Sequence, residues 1–123
     1  LDTTIAYDVP GARAHEKCTE LGKGTAIKIL DSSTICDYRM VAYLKKQAQD
    51  RNIVWQPEIL VAGGTDTAPL QRNGKNGSIA GAISIPTRHI HQVIEMVHKE
   101  DVERSIQLLQ VAVANLDQFD WSH

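Results

Sequence analysis

The sequence is short of most features that would tie it to a special environment or a common catalytic motif. It has only two cysteines, Cys18 and Cys36, and neither belongs to a C-x-x-C pair. That reads as two free thiols in a reducing cytoplasm rather than a disulfide or a cysteine metal site. Its apolar runs are short and broken by polar residues, so no segment reads as membrane-spanning. There is no excess of one charge: 13 basic residues stand against 15 acidic ones, a net charge of −2. This balance leaves no electrostatic footprint for nucleic acid or anionic lipid. The opening residues, LDTTIAYDVPG, lack the basic and then apolar order of a signal peptide. No G-x-S-x-G nucleophile elbow occurs, and no G-x-x-x-x-G-K-[ST] phosphate loop. LGKGTAIK, at 21–28, resembles the latter only loosely and reads as a turn into a strand.

What is there fits an ordinary globular chain. The 123 residues are 42% apolar and 23% charged, enough for one domain with a core. The chain begins at Leu1, without Met, and its first residues are already β-prone. Domains more often open on a polar tail, so the expectation is that further sequence precedes Leu1.

Along the chain, LDTTIAY predicts a first strand, and the Gly/Pro-punctuated stretch from Asp8 to Gly24 a long loop. Thr25 to Leu30 alternates as a short strand. Thr34 with Asp37 resembles a capping box, and Met40, Val41, Leu44 and Ala48 share one face of a helix ending near Asn52. Ile53 to Val61 reads as a strand whose Pro57 marks an edge or irregular position. Gly63-Gly64-Thr65-Asp66 then makes a strand-to-helix elbow, with Pro69 in a first turn. Ser78 to Ile85 predicts a buried strand stopped by Pro86, and Thr87 to Met96 a loop or short turn. A last helix is expected from about Lys99 to Leu116, with Val102, Ile106, Leu109, Val113 and Leu116 as its apolar stripe. Helices interleaved with strands that mostly run one way predict a layered α/β architecture.

Few residues in this frame carry chemistry. Asp2 puts a carboxylate on a strand; burial would be costly without a partner or metal, yet a strand-end Asp facing solvent is ordinary. His89 and His91 follow a strand end, where open α/β sheets bind ligands. In an extended loop they point opposite ways, so only one would face a site. Gly64, Thr65 and Asp66 bring backbone amides and a carboxylate to another strand end, an arrangement that also serves as a plain helix start. Glu95 is placed either to orient a ligand histidine or to sit in solvent.

Taken in order, LDTTIAYDVPG at 1–11, LGKGTAIKILDSS at 21–33, GGTD at 63–66 and ISIPTRHIHQVIEMV at 83–97 resemble the C-terminal part of metallopeptidase family 42. This is the family of glutamyl and TET-type aminopeptidases. The helix KEDVERSIQLL follows at the expected place. The resemblance implies a three-layer α/β/α sheet of the zinc-exopeptidase type, with residues 1–123 forming the C-terminal portion of its catalytic domain. It implies two divalent metal ions, zinc or cobalt, with Asp2 a ligand of one and His91 of the other. It implies that Gly64, Thr65 and Asp66 lie against peptide substrate, in a dimer-based homo-oligomer that can reach a dodecamer. Such metal pairs, on the order of 3.5–4 Å apart, acidify a bridging water and polarise a carbonyl.

The family pattern also needs an H-x-D histidine, a bridging Asp and a Glu-Glu pair that includes the general base. This chain has no H-x-D and no Glu-Glu. The expectation is therefore a partial site with no general base of its own, inactive alone. His89 stands where the family commonly has Tyr, and Gln92 where Ser is common. Thr67-Ala68-Pro69 replaces the usual continuation of the elbow. Two other readings stay open: a non-catalytic binding or assembly module, and a glycosidase, since some relatives carry a cellulase label. The second would need two carboxylates flanking a glycosidic bond, and no such pair stands out.

Overall fold

The fold comes from a computed structural model, which describes residues 1–122. Its strands are β1 (Asp2–Ile5), β2 (Thr25–Leu30), β3 (Trp55–Ile59), β4 (Ile83–Arg88) and β5 (Met96–Val97). Its helices are α1 (Tyr38–Asp50), α2 (Thr67–Arg72) and α3 (Lys99–Ala114). The sheet order is β1-β4-β2-β3, with β5 pairing β4. β1 and β4 run parallel, as do β2 and β3, while β2 meets β4 antiparallel. Pro57 does lie on an edge strand, as expected.

Alternation along β2 splits the chain into two environments. Ile27 faces α1 and α3 and joins Tyr43, Leu44, Ala48, Ile53, Ile83, Leu108 and Ala112 in the apolar core. Tyr43 is wholly buried, and its hydroxyl donates to the Ala112 carbonyl, which bonds α1 to α3. On the opposite face one side-chain hydrogen bond links the two edge strands. Thr4 of β1 donates to Glu58 of β3 at 2.7 Å. Lys28, between them and fully buried, donates to the same carboxylate. Segment 18–20 closes the gap through an Ala6–Thr19 bridge and a bond from the Glu20 amide to Gln56.

Several expectations needed correction. The strands do not mostly run one way: β2, β3 and β5 oppose β1 and β4. The strand expected from Ser78 begins at Ile83. Asp37, not Thr34, caps α1, accepting the Arg39 amide at 2.9 Å, while Thr34 donates to Gln71. Pro86 does not stop the third predicted strand but sits inside β4. The ladder with β2 covers Ile83 and Ser84, that with β5 begins at Thr87, and Pro86 falls between them, where its missing N–H costs nothing. The loop or short turn expected from Thr87 to Met96 is the turn of a hairpin, shorter at both ends because Thr87 and Arg88 belong to β4 and Met96 to β5. In α3 the buried positions are Asp101, Ser105, Leu108 and Ala112, and the apolar stripe of Ile106, Leu109, Val113 and Leu116 is exposed.

That last reversal has a polar cause. The carboxylate of Asp101 accepts the Gly22 and Gly24 amides at 2.7 and 2.8 Å, and Ser105 donates to Thr25 at 2.8 Å. These bonds fasten the glycine turn to the first turns of α3. Gly24 has φ +92°, and a Cβ there would fall 2.2 Å from the Val54 carbonyl oxygen. Only glycine fits.

Candidate functional site

Asp2 opens β1 and is exposed; one carboxylate oxygen accepts its neighbour's amide, from Thr3, at 2.8 Å. Its strand register sets it opposite Ser84. His91 lies beyond the other end of β4, in the turn leading to β5. The turn is not extended: His89 and His91 both adopt left-handed backbone, with φ of 55° and 65°, a conformation non-glycine residues reach only at a cost. The alternation argument for choosing between the two histidines therefore does not apply. Glu95 accepts the backbone N–H of His91, so it shapes the turn and does not hold the imidazole.

Running β1 parallel to β4 places Asp2 and His91 toward opposite ends of that pair. The four residue steps from Ser84 to Arg88 span about 13 Å. A metal pair is about 3.5–4 Å across, with ligand bonds of about 2 Å. That backbone separation is larger than one metal pair together with its ligand bonds. In donor type the fit is good, an exposed carboxylate and an exposed imidazole. In number it is incomplete: among the described residues no group of three or more His, Cys, Asp or Glu side chains is placed to hold a metal.

Around the His91 turn the anchoring is electrostatic. Asp8, from the Asp-x-Pro-Gly segment, binds Arg88, the last residue of β4, and also accepts the Leu21 amide at 2.9 Å. The Arg88 guanidinium holds the Asp8 carboxyl below its ordinary range, against the opposing effect of burial.

The Gly63–Asp66 elbow follows β3. Because β2 and β3 run opposite to β1 and β4, it lies toward the end of the sheet where β1 begins. Gly63, Gly64 and Asp66 are exposed and Thr65 is half-buried. Asp66 occupies the cap position of α2, yet its side chain makes no capping bond. Thr65 instead donates to Asp31 at 2.9 Å.

Asp31 was not among the residues singled out in the sequence, and neither were Lys28, Glu58 or Thr4. Burial pushes the Asp31 carboxyl up, but the Ser33 hydroxyl and amide, the Thr65 hydroxyl and the Lys28 charge outweigh it and hold the group at about 2. Two signals pointed there. Asp-Ser-Ser directly after a strand is an Asx-turn pattern, and Lys28 interrupts an apolar strand at an inward position. Burial pushes the Cys18 thiol up, and it lies 3.8 Å from the Thr4 hydroxyl, so it is no ready nucleophile.

With the geometry in place, comparison with known proteins is direct. The family described as M42 glutamyl aminopeptidase matches residues 1–108. A curated Acetivibrio thermocellus relative, named an aminopeptidase on a provisional basis, is 35% identical over 92% of this chain and 33% of its own length. The chain thus spans about a third of the length of the curated relatives it matches. The TET aminopeptidase of a marine-sediment Thaumarchaeota archaeon superposes with a TM-score of 0.88 at 32% identity, over 93% of this chain and 32% of that one. The Pyrococcus horikoshii TET1 peptidase, described as assembling into a tetrahedron or a large octahedral shell, gives 0.66 at 27% identity, over 76% and 27%. These neighbours share the zinc-exopeptidase fold, and the match covers about a third of it.

Proposed function

We propose that this chain, which belongs to the M42 glutamyl aminopeptidase family, carries part of the active site of a two-metal aminopeptidase acting on short peptides. The observation that carries the reading is the family match over residues 1–108, which includes both Asp2 and His91. In this reading Asp2 binds one ion through its exposed carboxylate and His91 binds the other through its imidazole. Glu95 fixes the backbone from which His91 projects, and the Asp8–Arg88 pair fixes the strand end beneath it. A bound metal pair, zinc or cobalt, supplies an acidified water and polarises the scissile carbonyl. The elbow at Gly64, Thr65 and Asp66 presents backbone N–H groups and a carboxylate to the substrate peptide. Proton transfer requires a general base, and the reading assigns it to a Glu outside these 123 residues.

The same reading expects a homo-oligomer, supported by the shells described for TET1 of Pyrococcus horikoshii. Its setting is the cytoplasm; among the described residues no helix is long and apolar enough to cross a membrane.

The test is substrate choice by the native gene product. Cleavage of an aminoacyl chromogenic amide, abolished by acetylating the amino terminus, is the expected result. Sugar release from β-glucan without amide cleavage would point to the glycosidase reading and overturn this one. No turnover of either would favour a binding or assembly module.

A further inference from the structure

We propose that Asp31 is the positioning residue of the Gly63–Asp66 elbow, holding it so that its free backbone N–H groups receive the carbonyl oxygens of a peptide substrate. The proposal rests on the reading of that elbow as substrate-binding. Asp31 divides its two oxygens between near and distant partners. Oδ1 accepts the Ser33 amide at 2.8 Å, the Ser33 hydroxyl at 2.7 Å and the Thr34 amide at 3.0 Å, all within its own turn. Oδ2 takes the Thr65 hydroxyl at 2.9 Å, from 34 residues away. The side chain is fully buried, with Lys28 Nζ 3.6 Å from that same Oδ2. A local turn needs only the first oxygen; the second is committed to the elbow.

The neighbouring residue repeats the attachment. Both the amide and the hydroxyl of Ser32 donate to the Gly63 carbonyl, at 3.1 and 2.7 Å. Gly64 sits so close to the turn that a Cβ there would lie 2.6 Å from the Ser33 hydroxyl. The elbow is therefore gripped from below at Gly63, Gly64 and Thr65. Above, no hydrogen bond among the described residues uses the N–H groups of Gly64, Thr65 or Asp66, and Gly64 and Asp66 are exposed. Fixed N–H donors with no partner among the described residues, carried by exposed or half-buried positions, match the carbonyl oxygens of an extended peptide.

The anchor also reaches across the sheet. Lys28 bridges Asp31 to Glu58, and Glu58 accepts Thr4 of β1, the strand that Asp2 opens. Asp31 thus ties the elbow to a buried charge network, and not to a mobile surface turn.

The experiment uses Asp31→Asn in the native gene product, with two readouts. The first is amide hydrogen exchange at Ser32, Ala68 and Leu70, whose N–H groups donate to the elbow carbonyls of Gly63, Thr65 and Asp66, compared with α1. The second is the split between KM and kcat on an aminoacyl amide. Asparagine keeps the acceptor for the local turn and faces Thr65 and Lys28 with a neutral amide. We expect roughly tenfold faster exchange at these elbow-bonded amides, the size of one lost buried hydrogen bond, with α1 unchanged. KM should rise by roughly five- to tenfold, with kcat altered much less. Ser32→Ala loosens the same elbow from an exposed position and should give a smaller effect in the same direction, which keeps the test decisive if the Asp31 variant unfolds. Unchanged exchange in both variants would overturn the anchoring. A loosened elbow with unchanged KM would overturn its part in peptide binding and leave the aminopeptidase reading standing. Should the native protein cleave no aminoacyl substrate, that reading fails, and the exchange readout still decides the anchoring.

Discussion

Arg88 and Asp8 are joined by two hydrogen bonds across 80 residues: Nε donates to Oδ1 at 2.5 Å and the terminal nitrogen to Oδ2 at 2.9 Å. The pair ties the loop after β1 to the end of β4, one residue before the His89–His91 turn. Asp8 is nearly buried and Arg88 is about one-third exposed.

Breaking this pair should therefore leave the Asp8 carboxylate without its charged partner. Arg88→Leu is expected to lower the urea midpoint, because the largely buried Asp8 carboxylate then keeps only the Leu21 amide as a donor. Arg88→Lys keeps the charge but not the two-bond geometry and should lose less. Urea denaturation distinguishes the three proteins. Equal midpoints would mean that the pair holds nothing.

Gly24 permits a close approach that no other residue allows. Gly24→Ala must combine a left-handed backbone with a Cβ at 2.2 Å from the Val54 carbonyl oxygen. The strain and the displaced backbone together should cost on the order of 2–4 kcal/mol. Gly11, with φ +90° and open space around its Cβ position, is the control and should lose less. Thermal unfolding of both variants checks the order.

Asp31 gives the fold an acid-sensitive point. Its carboxyl sits at about 2 in the folded chain, against about 3.9 in an unfolded one. A carboxylate with a depressed folded value stabilises the fold above the unfolded value, and that contribution fades as pH falls toward the folded one. Between about pH 5 and pH 2 the wild-type chain should lose on the order of 2 kcal/mol from this group. Asp8, also lowered, acts with the same sign. Urea midpoints at pH 6, 4 and 3 should fall more steeply for the wild type than for Asp31→Asn. Parallel curves would contradict the assignment.

Much of the fold was legible in the sequence where one pattern dominated. β2 runs from Thr25 to Leu30 as alternation predicts, and α1 ends at Asp50, near the expected Asn52. The failures came where polar bonds outrank apolar periodicity. The stripe of α3 was read from Ile106, Leu109 and Val113, but its inward face is chosen by Asp101 and Ser105, whose partners lie in a glycine turn about 80 residues earlier. Pro86 was read as a strand stop because the sequence does not reveal which side of a strand lacks a partner.

The candidate site was legible only in part, for a related reason. Asp2, His91 and the elbow stand out as polar groups at strand ends, and the ordered motifs gave them meaning. Asp31 and Lys28 stayed hidden because their roles depend on contacts 30 or more residues away. The left-handed turn at His89 and His91 was likewise invisible, since histidine adopts positive φ more often than most residues but far less often than glycine.

The central claim is that peptide cleavage depends on metal held in part by His91 and Asp2. Its most direct test is the aminoacyl amidase activity of the native gene product before chelation, after removal of divalent metal, and after zinc or cobalt is returned. The account predicts activity lost on chelation and restored by metal. In His91→Ala the bound metal per chain should fall and restoration should fail. Activity that survives complete metal removal, or a His91→Ala protein with full metal content and full activity, would contradict it.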